Sequence, residues 1–143
     1  MPTTTPADIL TRRRQLILDR DADGFAALFA PDALIDLPFA GSPDTPLRIE
    51  GRDAIREYAR RVMASPLSIE DFEMAALHQT QDPEVVVVEM RTKGTFTTTG
   101  RSFTVTSVQI LTIRDGHIAL FRDFADPRVV EEVMGGIPEA DAG

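Results

Sequence analysis

The chain has 143 residues, of which 43% are hydrophobic and 27% charged, and its net charge is −8. These values are typical of one globular domain with a hydrophobic core, and the negative charge disfavours binding to the phosphate backbone of nucleic acids. Cysteine is absent, which excludes disulfides and thiolate chemistry, and no apolar stretch reaches the roughly 18 residues that a membrane helix needs.

The start of the chain predicts two helices. The first runs from Ala7 to Arg20, because its inward stripe recurs at helical spacing: Ile9, Arg13, Leu16 and Ile17. Thr5 offers an N-cap in front of it. The second is predicted from Ala22 to Phe29, with Pro31 as its stop.

A strand, a loop and a third helix follow. The strand is predicted from Ala33 to Phe39, ended by Pro38. The turn-forming residues of Gly41 to Pro46 predict a loop long enough to act as a lid. The third helix is predicted from Gly51 to Ala64, with a stripe that faces the core: Ile55, Tyr58, Ala59 and Val62.

The second half of the chain predicts a strand meander. The strands are expected at Leu67–Gln79, Glu84–Phe96, Ser102–Arg114 and His117–Ala125, followed by a short helix to Met134. Residues 7–134 then form one α+β domain, in which a curved antiparallel sheet and three N-terminal helices surround an apolar pocket. We expect residues 1–6 and 135–143 to be flexible termini.

Two polar residues in the last strands are candidates for the pocket. Strand parity places Gln109 among apolar neighbours. The last strand carries aromatic residues on both faces, so its alternation is ambiguous, but it leaves Asp123 flanked by Phe121, Phe124 and Ala125. An acid in such surroundings has a raised pKa and can transfer protons near neutral pH. The alternative is an Asp123 that pairs with Arg122 or Arg128 at the surface or caps the last helix.

Two further candidates lie on the helices. Arg13 interrupts the apolar stripe of the first helix; it either extends its head into water or points inward to pair with Asp123 or Asp36, or with a substrate carboxylate. Tyr58 is either a core aromatic or a hydrogen-bond donor to the substrate. His78 and His117 are expected at the surface, and they are too far apart in the sequence to indicate a histidine-rich metal site.

Three segments carry a family resemblance: Asp21–Asp36, Glu50–Tyr58 and Arg114–Asp126. They resemble the SnoaL-like family, within the nuclear transport factor and ketosteroid isomerase superfamily. The resemblance implies a cone-shaped barrel and a homodimer formed through the outer sheet face. It implies no single reaction, because the superfamily includes isomerases, cyclases, epoxide hydrolases, dehydratases and non-catalytic binders.

The catalytic patterns of that superfamily match this chain only in part. Where ketosteroid isomerases have a tyrosine and two aspartates, this chain has Arg13, Leu37 and Gln109, and only Asp36 next door could replace the missing base. The positions of the limonene-type epoxide hydrolase Asp–Arg–Asp set match Met90, Thr92 and Asp123. Thr45–Asp53, Thr80–Val85 and Arg122–Phe124 resemble the phenazine-biosynthesis A/B proteins, whose glutamate and histidine correspond to Asp123 and Tyr58.

The sequence therefore predicts a cofactor-independent acid–base enzyme of the isomerase, cyclase or dehydratase type, acting on a small apolar or aromatic compound of secondary metabolism. The expected catalytic residues are Asp123, Tyr58, Gln109 and Arg13, and the pocket is expected to be lined by Phe25, Phe29, Leu37, Phe39, Phe103 and Phe121. The alternatives are a non-catalytic binding protein and a dimeric interaction module. With no signal-peptide pattern at the start, we expect a cytoplasmic protein with no metal, nucleic-acid or membrane partner.

Overall fold

The computed structural model describes residues 5–135, apart from the side chain of Met134. The fold is α+β, as predicted, with ten elements in this order: α1 (Pro6–Leu18), α2 (Ala22–Ala27), β1 (Phe29–Gly41), β2 (Pro46–Glu50), α3 (Arg52–Ala64), β3 (Leu67–Gln79), β4 (Val85–Phe96), β5 (Arg101–Arg114), β6 (His117–Ala125) and α4 (Pro127–Gly135). The predicted flexible termini lie mostly outside the described residues, although Pro6 already belongs to α1.

One curved sheet of six strands, in the order β2-β1-β6-β5-β4-β3, organises the molecule. Neighbouring strands are antiparallel except for β1 and β6, which run parallel. The predicted curved antiparallel sheet therefore contains one parallel pair. β1 is joined to β2 by a hairpin, so the chain must cross through α3 to the far edge before the meander brings β6 back beside β1.

The first strand is longer than its sequence pattern indicates. α2 ends at Ala27 and β1 begins at Phe29, so Pro31 lies within the strand and does not stop a helix. Both prolines fall where the ladder is irregular: Pro31 between the pairs of Phe29 and Leu34 with β6, and Pro38 between the pairs of Leu37 and Gly41 with β2. A proline costs no ladder hydrogen bond at such positions, which explains why the predicted boundaries were wrong.

The predicted lid is a tight hairpin turn. Ser42 and Thr45 exchange backbone hydrogen bonds of 3.1 and 3.0 Å, which close the turn between β1 and the unpredicted strand β2. Gly41 has a φ of +78°, a conformation that favours glycine at the start of this turn. No residue from 42 to 46 borders the internal cavity described below, so this loop does not cover it.

Helices α1 and α3 lie against the concave face of the sheet. α1 begins with the predicted cap, since the Thr5 hydroxyl accepts a hydrogen bond from the Asp8 backbone N–H at 3.1 Å. It buries Ile9, Leu10, Arg13 and Leu16, and α3 buries Ile55 and Ala59. The predicted helix stripes are therefore confirmed at most positions, and one arginine is part of the core. No helix within residues 5–135 is long and apolar enough to cross a membrane.

Candidate functional site

A cavity of about 270 Å³ lies between the concave face of the sheet and the helices. Most of its lining is apolar, and five of the six predicted lining residues border it: Phe25, Leu37, Phe39, Phe103 and Phe121. The sixth, Phe29, does not. Phe29 is fully buried at the start of β1, where its ring packs 5.1 Å from that of Phe25 and 6.5 Å from that of Phe121, so it belongs to the core behind the cavity.

The four polar candidates border this same cavity although they come from four different elements. α1 supplies Arg13, α3 supplies Tyr58, β5 supplies Gln109 and β6 supplies Asp123. Gln109 and Asp123 are direct partners in the β5–β6 ladder. That ladder is regular from Ser107 to Thr112, so the parity expected for Gln109 holds, and the pairing puts Asp123, whose facing the sequence leaves ambiguous, on the same face.

Asp123 is a half-buried acid whose Oδ1 atom is buried and which forms no ion pair with the described residues. Burial raises the pKa of Asp123 to about 6, and the Arg13 charge and a hydrogen bond from the Gln109 side chain oppose this rise only in part. Its Oδ1 atom has no hydrogen-bond partner among the described residues. The carboxyl group is therefore near half-ionisation at mildly acidic pH and can both accept and return a proton near neutrality.

The alternative roles considered for Asp123 are wrong. Arg122 lies near Asp36, with 3.7 Å between Nε and Oδ2, and Arg128 binds Asp126 at 2.7 Å. Asp126, and not Asp123, caps α4 by accepting the backbone N–H of Arg128 at 3.0 Å. Because Arg122 and Arg128 lie against other carboxylates, neither forms an ion pair with Asp123, which borders the cavity.

Arg13 is 1% exposed, so the expectation that its head reaches water is wrong. Its NH2 atom donates to Oε1 of Gln109 at 2.8 Å and lies 3.8 Å from Sδ of Met90. The guanidinium carbon lies 4.9 Å from the ring centre of Phe72 and 5.3 Å from that of Phe121. Burial lowers the pKa of Arg13 to about 10, a value at which the group still carries its charge at neutral pH.

Tyr58 offers a hydrogen-bond donor to the cavity. Burial and the nearby Asp123 raise the pKa of Tyr58 to about 12, while Arg61, whose guanidinium carbon lies 5.9 Å from the ring centre, acts in the opposite direction. The phenol therefore keeps its proton across the physiological range and can donate to a developing negative charge, but it cannot serve as a base.

Asp36 does not face the cavity. Its carboxylate lies on the convex side of the sheet, 3.6 Å from Nε of Arg48 and 3.7 Å from Nε of Arg122. Leu37 borders the cavity next to it. The position that holds the ketosteroid isomerase base is thus apolar here, and Asp36 cannot replace that base because successive strand residues point to opposite faces.

Several residues that border the cavity or hold its charges were absent from the predicted site. Ser107 shares the parity of Gln109 and borders the cavity, so the strand pattern could have found it. Phe72 was harder to find, because β3 has register shifts near residues 70 and 75 that interrupt its alternation. Val130 and Val133 of α4 border the cavity at helical spacing.

The two histidines lie at the surface, as predicted: His78 is 2.6 Å from Glu89, and His117 contacts the carbonyl of Asp115.

Comparison with known proteins supports the resemblance found in the sequence. The SnoaL-like domain family matches residues 11–121. An uncharacterised PhzA/B-like protein of Pseudomonas aeruginosa is 31% identical over 133 residues, which cover 93% of this chain and 92% of the relative.

Solved structures agree on the fold. A proposed isomerase of Bacillus subtilis has a TM-score of 0.80 at 25% identity, and the match covers 91% of this chain and 92% of the isomerase chain. A ketosteroid isomerase-like protein of Catenulispora acidiphila, solved with trimethylamine, has a TM-score of 0.74 at 20% identity, with coverages of 94% and 96%. SalBIII, an epoxide hydrolase/cyclase-like enzyme of pyran ring formation in salinomycin, has a TM-score of 0.69 at 22% identity, with coverages of 84% and 89%. The fold is therefore that of the ketosteroid isomerase-like proteins, as the sequence predicted.

Proposed function

We propose that this chain, which belongs to the SnoaL-like family, is a cofactor-independent acid–base enzyme for a small apolar or aromatic molecule. The observation that carries the proposal is Asp123: a carboxyl group on the wall of an apolar cavity, with a pKa raised to about 6 and one oxygen without a hydrogen-bond partner among residues 5–135. An acid in this state suits reactions of the isomerase, cyclase or dehydratase type, in which one group removes a proton and returns it elsewhere.

The other polar groups fit the stabilisation of negative charge. Removing a proton beside a carbonyl group places charge on the carbonyl oxygen, which then needs donors. Tyr58 keeps its proton at neutral pH and is one such donor. The amide nitrogen of Gln109 carries two hydrogens, of which one is directed to Asp123, and we propose that the second donates to the oxyanion.

The structural neighbours are consistent with this class of reaction. They include a proposed isomerase and an enzyme that is epoxide hydrolase/cyclase-like. This chain lacks the epoxide hydrolase set at Met90 and Thr92: Met90 is buried, and Thr92 carries neither an acid nor a cation. We therefore favour proton transfer at carbon over epoxide opening.

Proton exchange tests the proposal without knowledge of the natural substrate. A panel of small cyclic and aromatic ketones is incubated with the protein in D₂O, and loss of the α-proton signals is followed by NMR. We expect exchange with at least one ketone, and we expect Asp123→Asn to slow it by about 10²–10⁴-fold because the proton-transfer group is removed. Asp36→Asn is the matched control, since it removes an acid from the opposite sheet face and should leave exchange unchanged.

The same experiment separates the alternatives. Ketones that bind, as saturation-transfer signals show, but exchange no faster than in buffer indicate a non-catalytic binding protein. Ketones that neither bind nor exchange favour the interaction module. Exchange that survives Asp123→Asn would contradict the assignment of Asp123.

We also propose that a second copy of the chain covers the convex face of the sheet. Val108 is 41% exposed there, and Ile110 and Phe124 on the same face are half-buried. A folded protein gains by covering such apolar surface. Val108→Lys should convert a dimer into monomers, as measured by light scattering; a wild-type monomer would contradict the proposal.

A further inference from the structure

Arg13 is a cation at the wall of the cavity that exposes almost none of its surface to it. It is 1% exposed, and both Nε and NH1 are buried without a hydrogen-bond partner among residues 5–135. Its remaining nitrogen, NH2, is turned to Gln109 and Met90. A substrate carboxylate would need accessible N–H groups on this side chain, and none is offered. The role of Arg13 must therefore lie in what it does to its neighbours.

The first neighbour is the amide of Gln109. A guanidinium group only donates hydrogen bonds, so the 2.8 Å contact requires the amide oxygen on the Arg13 side. The amide nitrogen is then directed to Asp123, the ladder partner of Gln109. If the amide were reversed, its N–H groups would face the N–H groups of Arg13 and its oxygen would face the Asp123 carboxylate. Both contacts would be repulsive. Arg13 thus fixes which end of Gln109 meets the carboxyl group.

The second effect is on the charge of Asp123. Arg13 and Gln109 stabilise the carboxylate, and Arg13 is the larger of the two influences. α3 contributes Tyr58, which stays neutral at physiological pH, and Arg61 beside it. Arg20 also borders the cavity but binds the carbonyls of Met63 and Leu67. The cavity-facing residues of β1 and α4 add no charge.

Two aromatic rings hold this cation in place. Phe72 and Phe121 lie 4.9 and 5.3 Å from the guanidinium carbon. Ring faces attract cations, most strongly away from water, so the two rings replace part of the lost hydration. A planar guanidinium can stack on rings and donate in its own plane at once, which a lysine ammonium cannot do. This explains why an arginine is tolerated within the core.

We propose that Arg13 is a positioning residue: held by Phe72 and Phe121, it orients the Gln109 amide toward Asp123 and keeps that acid ionisable without touching the bound molecule. The proposal rests on the proposed function only in that Asp123 is the group whose ionisation matters. Arg13 would then differ from a substrate clamp, because it acts on Asp123 by holding the Gln109 amide and by its positive charge, and not by binding the substrate.

The ionisation of Asp123 tests this directly and needs no substrate. The carboxyl carbons of ¹³C-labelled aspartate are titrated by NMR in the full-length protein, with the Asp123 signal assigned by its loss in Asp123→Asn. Arg13→Met removes the charge and the donor with little change in volume, and we expect the Asp123 midpoint to rise by about one pH unit or more. Arg12→Met is the matched control, because Arg12 is the exposed neighbour on the same helix, and it should leave the midpoint unchanged.

Two further variants keep the test decisive. Gln109→Leu retains the charge and removes the amide, so a smaller rise is expected. Arg13→Lys retains a positive charge without the planar guanidinium, so the Asp123 midpoint should rise by an intermediate amount. If thermal melting shows that Arg13→Met does not fold, Arg13→Lys replaces it in the test. A folded Arg13→Met protein with an unchanged midpoint would overturn the proposal.

A kinetic readout separates this role from a clamp. In the ketone exchange assay, loss of Arg13 should move the pH–rate profile to higher pH with little change in KM, whereas loss of a clamp would raise KM and leave the profile in place. If exchange proves independent of Asp123, the proposed function fails, but the titration still decides whether Arg13 controls that acid.

Discussion

Two aspartates on neighbouring strands are compensated in opposite ways. Asp36 lies on the convex face, with Nε of Arg48 at 3.6 Å and Nε of Arg122 at 3.7 Å. Asp123 lies on the concave face and forms no ion pair within residues 5–135; the charge of Arg13 stabilises its carboxylate, and Arg13 donates a hydrogen bond to Gln109, the ladder partner of Asp123. The strands that carry them are adjacent, since Asp36 is the β1 partner of Arg122 on β6.

The difference shows what a sheet can do with alternating side chains. On the convex face the carboxylate is matched by cations whose heads are in water, which is the ordinary structural use of an acid. On the concave face the match is incomplete, because Asp123 forms no ion pair with the described residues, whereas Asp36 has two; Oδ1 of each aspartate is buried without a hydrogen-bond partner within residues 5–135. Incomplete compensation keeps the pKa of Asp123 high, and a raised pKa is what proton transfer requires.

The largest effect on stability should come from truncating a phenylalanine on the concave face, compared with one on the convex face. Phe121 is 9% exposed and packs on Phe29 and Arg13, so Phe121→Ala should lower the free energy of unfolding by about 3–5 kcal/mol. Phe124, on the convex face and partly exposed, should lose only about 1 kcal/mol in Phe124→Ala. Urea denaturation in the Val108→Lys background, which the dimer proposal expects to be monomeric, measures both. Equal losses would contradict the distinction between the two faces.

A smaller effect is expected from the buried acid, and it depends on pH. The pKa of Asp123 is raised from 3.8 to about 6 in the folded protein, so folding favours the protonated form. The wild type should therefore lose roughly 2–3 kcal/mol of unfolding free energy, relative to Asp123→Asn, as the pH rises from below 4 to above 6. Chemical denaturation at several pH values measures this difference, and a constant difference between the two proteins would refute it.

The smallest effect should come from the convex acid. Asp36→Asn removes two contacts of 3.6 and 3.7 Å with arginines that are 59% and 40% exposed at their side chains. Such contacts are worth about 1 kcal/mol or less, and salt screens them. The loss of stability measured by thermal or urea unfolding should shrink further in concentrated salt. A loss that exceeds that of Phe124→Ala would show that Asp36 has a larger role than an ordinary surface pair.

The sequence predicted the regular parts of this molecule better than its irregular ones. β5 and β6 pair without interruption around Gln109 and Asp123, so parity predicts the face of Gln109, while the aromatic residues on both faces of β6 leave that of Asp123 to the pairing itself. Pro31 and Pro38 lie at ladder irregularities of β1, and a single sequence does not reveal where the partner strand slips. β2 was missed for a related reason, because its five residues follow a turn and carry too little pattern.

The sequence predicts which polar residues border the cavity, but not which side chains they contact. Arg13 was recognised as an unusual residue on an apolar stripe, yet burial of its head depends on Phe72, which comes from a strand with two register shifts. The sequence predicts Phe29 as a lining residue together with the other phenylalanines of the pocket. Only the packing of its ring behind Phe121 shows that it belongs to the core.

The ionisation of Asp123 in the wild-type protein tests the central claim most directly. The claim is that this half-buried acid has a raised pKa, because no ion pair within residues 5–135 balances its charge, and can therefore transfer protons near neutral pH. NMR titration of its carboxyl carbon should give a midpoint near 6, well above those of exposed aspartates in the same spectrum. A midpoint near the ordinary value of 3.8 would mean that Asp123 is fully compensated or solvated, and would contradict the account.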